Sequence, residues 1–264
     1  MIKKFSAFNK YVLTAAAASL IILYIILFTL PDGYTSFASK NFLSDFFIFV
    51  TLSCNPIAIV VSVFVITFIL FFSTRKFLRL HHSIFVFALI SIGIISMGYY
   101  LINYLKGTFP AARPYYDFLY ENKILPEELD EFIKLSPVER KNLYKEDSVF
   151  AKVPPGVNPR VYKLWISETA LSFPSGHAFN SVFLGILYSC ILFFSLEKRY
   201  RLLYLAPLVW MIFVCLSRII LGLHHKIDVV FGSLLGLLAA LVFIYAGALN
   251  KIIFLDRDAN SKTP

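Results

Sequence analysis

The sequence predicts an all-α integral membrane protein with six transmembrane helices and a small external helical insert between the third and fourth helices. Its 264 residues are 58% hydrophobic and only 16% charged, whereas a soluble domain is less apolar and about a quarter charged. The mean hydropathy is +0.73. Apolar runs of about twenty residues, the length that crosses a bilayer, recur along the chain. We expect one membrane-embedded domain over residues 1–264.

The predicted spans follow these apolar runs in order. They are residues 11–30, 56–74, 83–105, 177–196, 202–222 and 227–249. Lysines precede the first run, as in a secretory signal, but its apolar stretch is longer than a signal core, so it is retained as a helix. Residues 42–53 are too short to span and carry Asp45, so we expect an interfacial or re-entrant piece that leads through Asn55-Pro56 into the second helix.

The insert, about residues 115–172, is the stretch that resembles soluble structure. A group of acidic residues after Pro126 suits the first turn of a helix. Ser136, Pro137 and Glu139 form a capping-box pattern for a second helix. Pro154-Pro155-Gly156 then breaks the chain. We expect a small helical cap over the external face.

Loop charges predict the orientation. Twelve Lys and Arg residues fall in the segments on one side, against Lys40 and Lys226 in the short loops on the other. By the positive-inside rule both termini are cytoplasmic.

The net charge of +9 comes with no basic tract outside the hydrophobic runs, so a nucleic-acid partner is not expected. The three cysteines have neither disulfide nor zinc spacing.

Three polar motifs interrupt the apolar chain where predicted helices end or begin. They are Lys106 through Arg113-Pro114, then Pro174-Ser175-Gly176-His177, then Ser217-Arg218 followed by His224 and Asp228. In the predicted topology all three reach the external face, although none was used to set the orientation. Ionisable residues at membrane depth are costly and indicate function, so we expect one polar site there.

The residue types suit a phosphate ester. Lys106, Arg113 and Arg218 can clamp the phosphate, and the arginines can do so with two parallel hydrogen bonds. Ser175 and the Gly176 amide lie where the fourth helix begins, and helix N-termini favour anions. The motifs contain no metal-ligand spacing, and we expect neither a metal nor a cofactor.

Two histidines can serve the chemistry. His224 and Asp228 are four residues apart, and they share a face if the sixth helix starts early enough. Asp228 would then orient the imidazole, and His177 would protonate the leaving oxygen as general acid. Helical spacing sets His225 about a quarter turn from Asp228, so His224 is favoured over it.

Each motif also has a purely structural interpretation. Lys106 and Arg113 are the kind of residues that anchor helix ends at the membrane surface. Pro174-Ser175-Gly176 is a plausible helix start, and a single histidine near a membrane surface is usually solvated or packed. The convergence of three motifs on one face favours a site.

In spacing and order the motifs resemble the type 2 phosphatidic acid phosphatase superfamily. The pattern is a lysine, six residues and Arg-Pro; then Pro-Ser-Gly-His; then Ser-Arg, five residues, His, three residues and Asp. The resemblance implies a six-helix lipid phosphatase. It implies His224 as the nucleophile that forms a phosphohistidine, Asp228 as its partner and His177 as acid. The implied phosphate ligands are Lys106, Arg113, Ser175, Gly176 and Arg218.

The resemblance implies action on phosphatidylglycerophosphate at the external face of a bacterial inner membrane, with phosphatidic acid, lysophosphatidic acid and undecaprenyl pyrophosphate as related substrates. A dedicated undecaprenyl pyrophosphate or lipid A phosphatase is a near alternative, because the motifs bind phosphate and do not read the rest of the lipid.

A non-catalytic anion or lipid transporter is an alternative of another class. Against it, the sequence has no paired, interrupted helices, and a nucleophile with an acid serves no transport purpose. The partners expected are a lipid substrate and the bilayer, and the sequence sets no oligomeric state.

Overall fold

The computed structural model describes residues 2–30, 42–73, 77–123, 131, 134–136, 138–139, 142, 157–169, 171–196 and 198–246. Within these ranges the chain is helical and forms no strand; its single β-type contact is a bridge between Ala112 and Leu171. The named helices are α1 (Ile2–Thr29), α2 (Phe42–Leu52), α3 (Pro56–Ser73), α4 (Phe77–Thr108), α5 (Pro114–Glu121), α6 (Pro159–Ser167), α7 (Gly176–Ser195), α8 (Ala206–Ile220) and α9 (Lys226–Tyr245).

Several of these helices are long and apolar enough to cross a membrane. Among the described residues four stretches meet this test, and the bent pair of α2 and α3 would make a fifth. The stretches are Lys10–Thr29, Gly176–Phe194, Lys198–Ile220 and Lys226–Tyr245. The all-helical, multi-pass architecture is thus confirmed, whereas the count of six spans stays a prediction.

A sharp break separates α2 from α3. The two helices are bent by 69°, and Asn55 lies between them. Its side-chain oxygen accepts a hydrogen bond from the Ala58 amide at 2.8 Å, and Pro56 is the first residue of α3, so α3 begins with the residues that favour a helix start. The short interfacial or re-entrant piece predicted over 42–53 is therefore helical and enters α3 at an angle.

Helix α7 is the most buried of the four stretches, and α9 packs tightly against it. A Cβ atom added to Gly232 would meet the Ser175 carbonyl oxygen at 2.3 Å, and one on Gly236 would meet the Phe179 carbonyl oxygen at 2.4 Å. Only glycine allows this approach of the two backbones, as in other small-residue helix contacts in membranes. The contact brings the start of α9 beside the start of α7.

The insert contributes α5, α6 and the capping box between them. The Ser136 amide donates to Glu139 Oε2 at 2.7 Å, and the Glu139 amide donates to Ser136 Oγ at 3.2 Å. These two hydrogen bonds confirm the predicted capping box. The acidic segment after Pro126 lies outside the described residues except for Glu131, as does the Pro154–Gly156 break.

Buried aromatic residues join α5 to α6. Trp165 and Tyr115 stack with ring centroids 5.3 Å apart and planes within 8°. The Trp165 indole donates to the Leu221 carbonyl oxygen at 2.8 Å. The part of the insert next to the membrane helices is therefore packed onto the turn that follows α8.

Candidate active site

A tight turn after α8 positions the histidine of the third motif. Gly222 has a φ of 68°, a conformation that favours glycine. The amides of Leu223 and His224 both donate to the Arg218 carbonyl oxygen, at 2.9 and 3.0 Å. The chain therefore folds back over the end of α8 and brings His224 next to the helix that carries Arg218.

His224 and Asp228 are paired as predicted, but by a different geometry. His224 Nδ1 lies 3.4 Å from Asp228 Oδ2, yet α9 begins only at Lys226. The helix thus starts too late for the two residues to share a helical face, and their side chains meet across the helix start. Ser172 strengthens the pair, because its hydroxyl donates to Asp228 Oδ2 and lies 3.3 Å from His224 Nδ1.

His225 points elsewhere. Its amide donates to Asp228 Oδ2 at 2.8 Å, and its ring Nε2 lies 3.2 Å from the Ala112 carbonyl oxygen. Neither residue is on α9, so helical spacing was the wrong reason to prefer His224 over His225. The separate ring positions are the reason that the structure supplies.

Arg113 lies on the other edge of the His224 ring. It is 1% exposed, and its Nη1 contacts the Leu223 carbonyl oxygen at 2.7 Å and His224 Nε2 at 3.3 Å. Burial, with the positive charges of Arg113 and Arg218, lowers the pKa of His224 well below its ordinary 6.5. The imidazole is therefore neutral at pH 7.

Glu168 links the two arginines of the motifs. Its Oε2 accepts from Arg113 Nη2 at 3.1 Å and its Oε1 accepts from Arg218 Nη2 at 2.5 Å. Burial alone would raise the pKa of Glu168, but the charges of Arg218, Arg113 and His177 outweigh it and hold this pKa well below its usual value. An anionic oxygen pair thus already lies between the guanidinium groups.

Lys106 completes a cluster with these arginines. Its Nζ donates to the Leu171 carbonyl oxygen at 2.8 Å and reaches Thr169 Oγ1 at 3.4 Å. Arg113 contacts the same threonine through Nη2 and Nε. We call Lys106, Arg113 and Arg218 the cation cluster. Glu168, Thr169 and Leu171 together hold all three cations.

The start of α7 carries the residues of the second motif. Ser175 is its N-cap residue, and Ser175 Oγ accepts from the Ala178 amide at 3.3 Å. A Cβ on Gly176 would meet only Ile102, at an ordinary 3.6 Å, so protein packing does not require glycine there. His177 is half-buried, and no described residue forms a hydrogen bond with its ring. The structure therefore brings the residues of all three motifs to one end of the bundle.

Glu168, Ser172 and Thr51 were missed as site residues by sequence reasoning. Glu168 carried a signal, because it lies close before the Pro174-Ser175-Gly176-His177 motif and ionisable residues at membrane depth pair with one another. Ser172 and Thr51 carried none, because serine and threonine are common at helix ends and their partners are distant in sequence. Among the described residues, no group of three or more His, Cys, Asp or Glu side chains is placed to hold a metal ion.

The fold and the site define a multi-pass membrane protein with a buried cation cluster facing a histidine–aspartate pair. Residues 84–251 match the PAP2 superfamily, and the chain belongs to that superfamily. Every site residue predicted from the three motifs lies within the matched range.

Two named relatives are similar over part of their length. The chain is 29% identical over 157 residues to phosphatidylglycerophosphatase B of Escherichia coli strain K12, covering 60% of this chain and 58% of the relative. It is 36% identical over 93 residues to phosphatidylglycerophosphatase B of Bacillus subtilis strain 168, covering 33% and 43%. The aligned part is thus less than two thirds of each relative.

Proposed function

We propose that the protein is an integral-membrane lipid phosphatase that hydrolyses phosphatidylglycerophosphate to phosphatidylglycerol and phosphate through a phosphohistidine. The observation that carries this proposal is the placement of His224 between Asp228 on one ring nitrogen and the Arg113 guanidinium on the other. The names of the relatives and the superfamily favour the same substrate class.

The phosphoryl group would bind where the Glu168 carboxylate now lies. A phosphate carries more charge than a carboxylate and offers more acceptor oxygens, so it can replace Glu168 between Arg113 and Arg218. Lys106 and the free amides at the start of α7 would add to the clamp. Phosphoryl transfer depends mainly on such positioning and charge stabilisation, and the cation cluster supplies both.

In the first step, the lone pair of His224 Nε2 attacks phosphorus and the bond to the lipid oxygen breaks. His177 donates a proton to that oxygen, so the lipid leaves as an alcohol. Asp228 stabilises the positive charge that forms on the His224 ring through Nδ1. In the second step, His177 accepts a proton from water, the water oxygen attacks phosphorus, and the N–P bond breaks to release phosphate and neutral His224.

The charge asymmetry of the loops favours an active site on the external, periplasmic face of a bacterial inner membrane, with both termini cytoplasmic. Phosphatidic acid, lysophosphatidic acid and undecaprenyl pyrophosphate are further candidate substrates, because the cation cluster contacts only the phosphate. A preference for undecaprenyl pyrophosphate or lipid A would appear in a direct comparison of these lipids.

Trapping of the phosphoenzyme tests the proposal. Purified protein in detergent and excess EDTA is mixed with phosphatidylglycerophosphate carrying ³²P in its terminal phosphate and quenched in base, where phosphohistidine survives. We expect labelled protein in the parent and none in His224→Ala. His225→Ala is the matched control and should still be labelled, since its ring reaches Ala112 rather than the cation cluster.

Three results would contradict the proposal. Label that persists in His224→Ala would move the nucleophile to another residue. Activity that stops in EDTA and returns with magnesium would show that the cation cluster is insufficient. If the protein releases phosphate from none of the candidate lipids (phosphatidylglycerophosphate, phosphatidic acid, lysophosphatidic acid and undecaprenyl pyrophosphate), it is not a phosphatase of these lipids. The transporter alternative then becomes the better explanation.

A further inference from the structure

Helix α2 reaches the cation cluster although it carries none of the three motifs. Thr51, in its last turn, is 1% exposed, and its Oγ1 accepts a hydrogen bond from Arg218 Nη1 at 2.8 Å. Arg218 is itself fully buried. A buried guanidinium keeps a fixed orientation only if its donors are satisfied in that orientation, so Thr51 contributes to the direction in which Arg218 points.

The three nitrogens of Arg218 are used unequally. Nη1 donates to Thr51 and Nη2 donates to Glu168, while Nε is buried and has no partner among the described residues. In a guanidinium group, the Nε–H and one Nη2–H bond are parallel and form the edge that binds two oxygens of one anion. Thr51 holds the nitrogen opposite this edge. The edge toward Glu168 is therefore half occupied, with one donor left for a second oxygen.

Helix α2 is itself fixed on two sides. Asn158, just before α6, donates through its side-chain amide to Ser44 Oγ at 2.8 Å. Trp210 of α8 donates to Ser53 Oγ at 2.8 Å, in the turn that follows α2. Thr51 thus lies between an attachment to the insert and an attachment to the helix that carries Arg218, which keeps its hydroxyl in register with the guanidinium group.

We propose that Thr51 is a positioning residue that directs the Nε/Nη2 edge of Arg218 toward the phosphoryl group. In this arrangement the phosphate accepts from both Nη2 and Nε, one more hydrogen bond than Glu168 receives from Arg218. The assignment rests on the proposed phosphatase function, and it makes α2 part of the phosphate site.

The test compares two substitutions at Thr51. Thr51→Val removes the hydroxyl with little change of shape, and Thr51→Ser retains it. We expect Thr51→Val to lower kcat by about 10- to 100-fold, the usual worth of a hydrogen bond to a charged group, with a smaller change in KM and weaker inhibition by orthovanadate. Thr51→Ser should stay within about threefold of the parent. Thr29→Val in α1 is the matched control, because the Thr29 hydroxyl donates to the Ile26 carbonyl oxygen of its own helix, and it should stay within about twofold of the parent.

A double-mutant cycle separates positioning from packing. If Thr51 acts through Arg218, Thr51→Val should cause no further loss in an Arg218→Ala background. An equal loss in both backgrounds, or a loss in Thr29→Val matching that in Thr51→Val, would overturn the proposal. Orthovanadate binding, measured as a shift in thermal unfolding, provides a readout without turnover. If the parent binds vanadate but does not release phosphate, the proposed function fails, while unchanged vanadate binding in Thr51→Val defeats this inference alone.

Discussion

The Nη1 nitrogen of Arg113 lies 3.3 Å from the Nε2 nitrogen of His224. Because a guanidinium group can only donate hydrogen bonds, Nε2 must present its lone pair, and the ring proton then lies on Nδ1 toward Asp228. The contact thus selects the tautomer whose unprotonated nitrogen, Nε2, faces the cation cluster. A nucleophile needs that lone pair, so in the proposed mechanism Arg113 would both prepare His224 and lie beside the phosphoryl group.

The lowered pKa of His224 predicts the acid side of the pH profile. The folded protein keeps this imidazole neutral below the ordinary pKa of 6.5, so the acidic limb of kcat/KM should lie below pH 6.5. The same group contributes stability that is complete above 6.5 and is lost as the pH falls toward the lowered value, because only the unfolded chain takes up the proton. The pH dependence of kcat/KM, measured on a short-chain lipid substrate with His225→Ala as control, gives the position of this acidic limb. A limb at or above 6.5 would contradict the prediction.

Arg113→Lys should not be a conservative change. Lysine cannot reproduce the contacts that the Arg113 guanidinium makes with Leu223, Glu168 and His224 at once. We expect kcat to fall by about 100-fold or more, measured on protein that still elutes as a folded species. Arg160→Lys is the control, because Arg160 is exposed and its guanidinium group pairs with Asp45, and it should resemble the parent. Near-normal activity in Arg113→Lys would favour the helix-anchor interpretation.

Glu168→Gln should tighten the binding of inorganic phosphate. The carboxylate competes with the ligand for Arg113 and Arg218, and its removal raises the fraction of sites that can accept an anion. We expect the inhibition constant for phosphate to fall about 5- to 30-fold and the Tm to fall, since two buried arginines lose their counter-charge. Glu121→Gln, on the exposed side of α5, is the control. Weaker phosphate inhibition would show that Glu168 helps to bind the ligand.

His177→Ala should affect two substrates differently. Loss of a general acid costs about 10²- to 10⁴-fold when the leaving group is an alkoxide. Undecaprenyl pyrophosphate releases a phosphate instead and needs the proton less. The ratio of its turnover to that of phosphatidylglycerophosphate should therefore rise in His177→Ala, while His224→Ala is inactive on both. Equal losses on both substrates would indicate that His177 binds phosphate.

Cysteine labelling in intact cells tests the predicted orientation. A membrane-impermeant maleimide should reach a cysteine placed at Lys145, in the insert, but not one placed at Arg75. Cys54, Cys190 and Cys215 are buried, so the native background should be low. Permeabilised cells provide the control for the second site. The reverse pattern would place the candidate active site in the cytoplasm.

Hydrophobic runs predicted the helices, and the order of the predicted spans placed the three motifs on one face. Each of these signals can be read from residues that are near in sequence. The span predicted at 177–196 is α7 at Gly176–Ser195. The details of the site depend on contacts between distant segments. Ser172 and Asp228 meet near the point where Gly232 lets α9 approach the start of α7. The pairing of His224 with Asp228 was predicted, but its geometry depends on where α9 starts, which the spacing alone could not give.

The glycine contact between α7 and α9 also bears on how the site can move. The Ser175 amide donates to the Asp228 carbonyl oxygen at 3.0 Å, and Gly232 lies against the carbonyl oxygen of the same serine. His177 and Asp228 thus lie on two helices whose backbones are in close contact, since even a methyl group at Gly232 or Gly236 would collide with α7 or its N-cap residue. We therefore expect α7 and α9 to keep their relative position when the proposed substrate binds, so that they act as the fixed frame of the site.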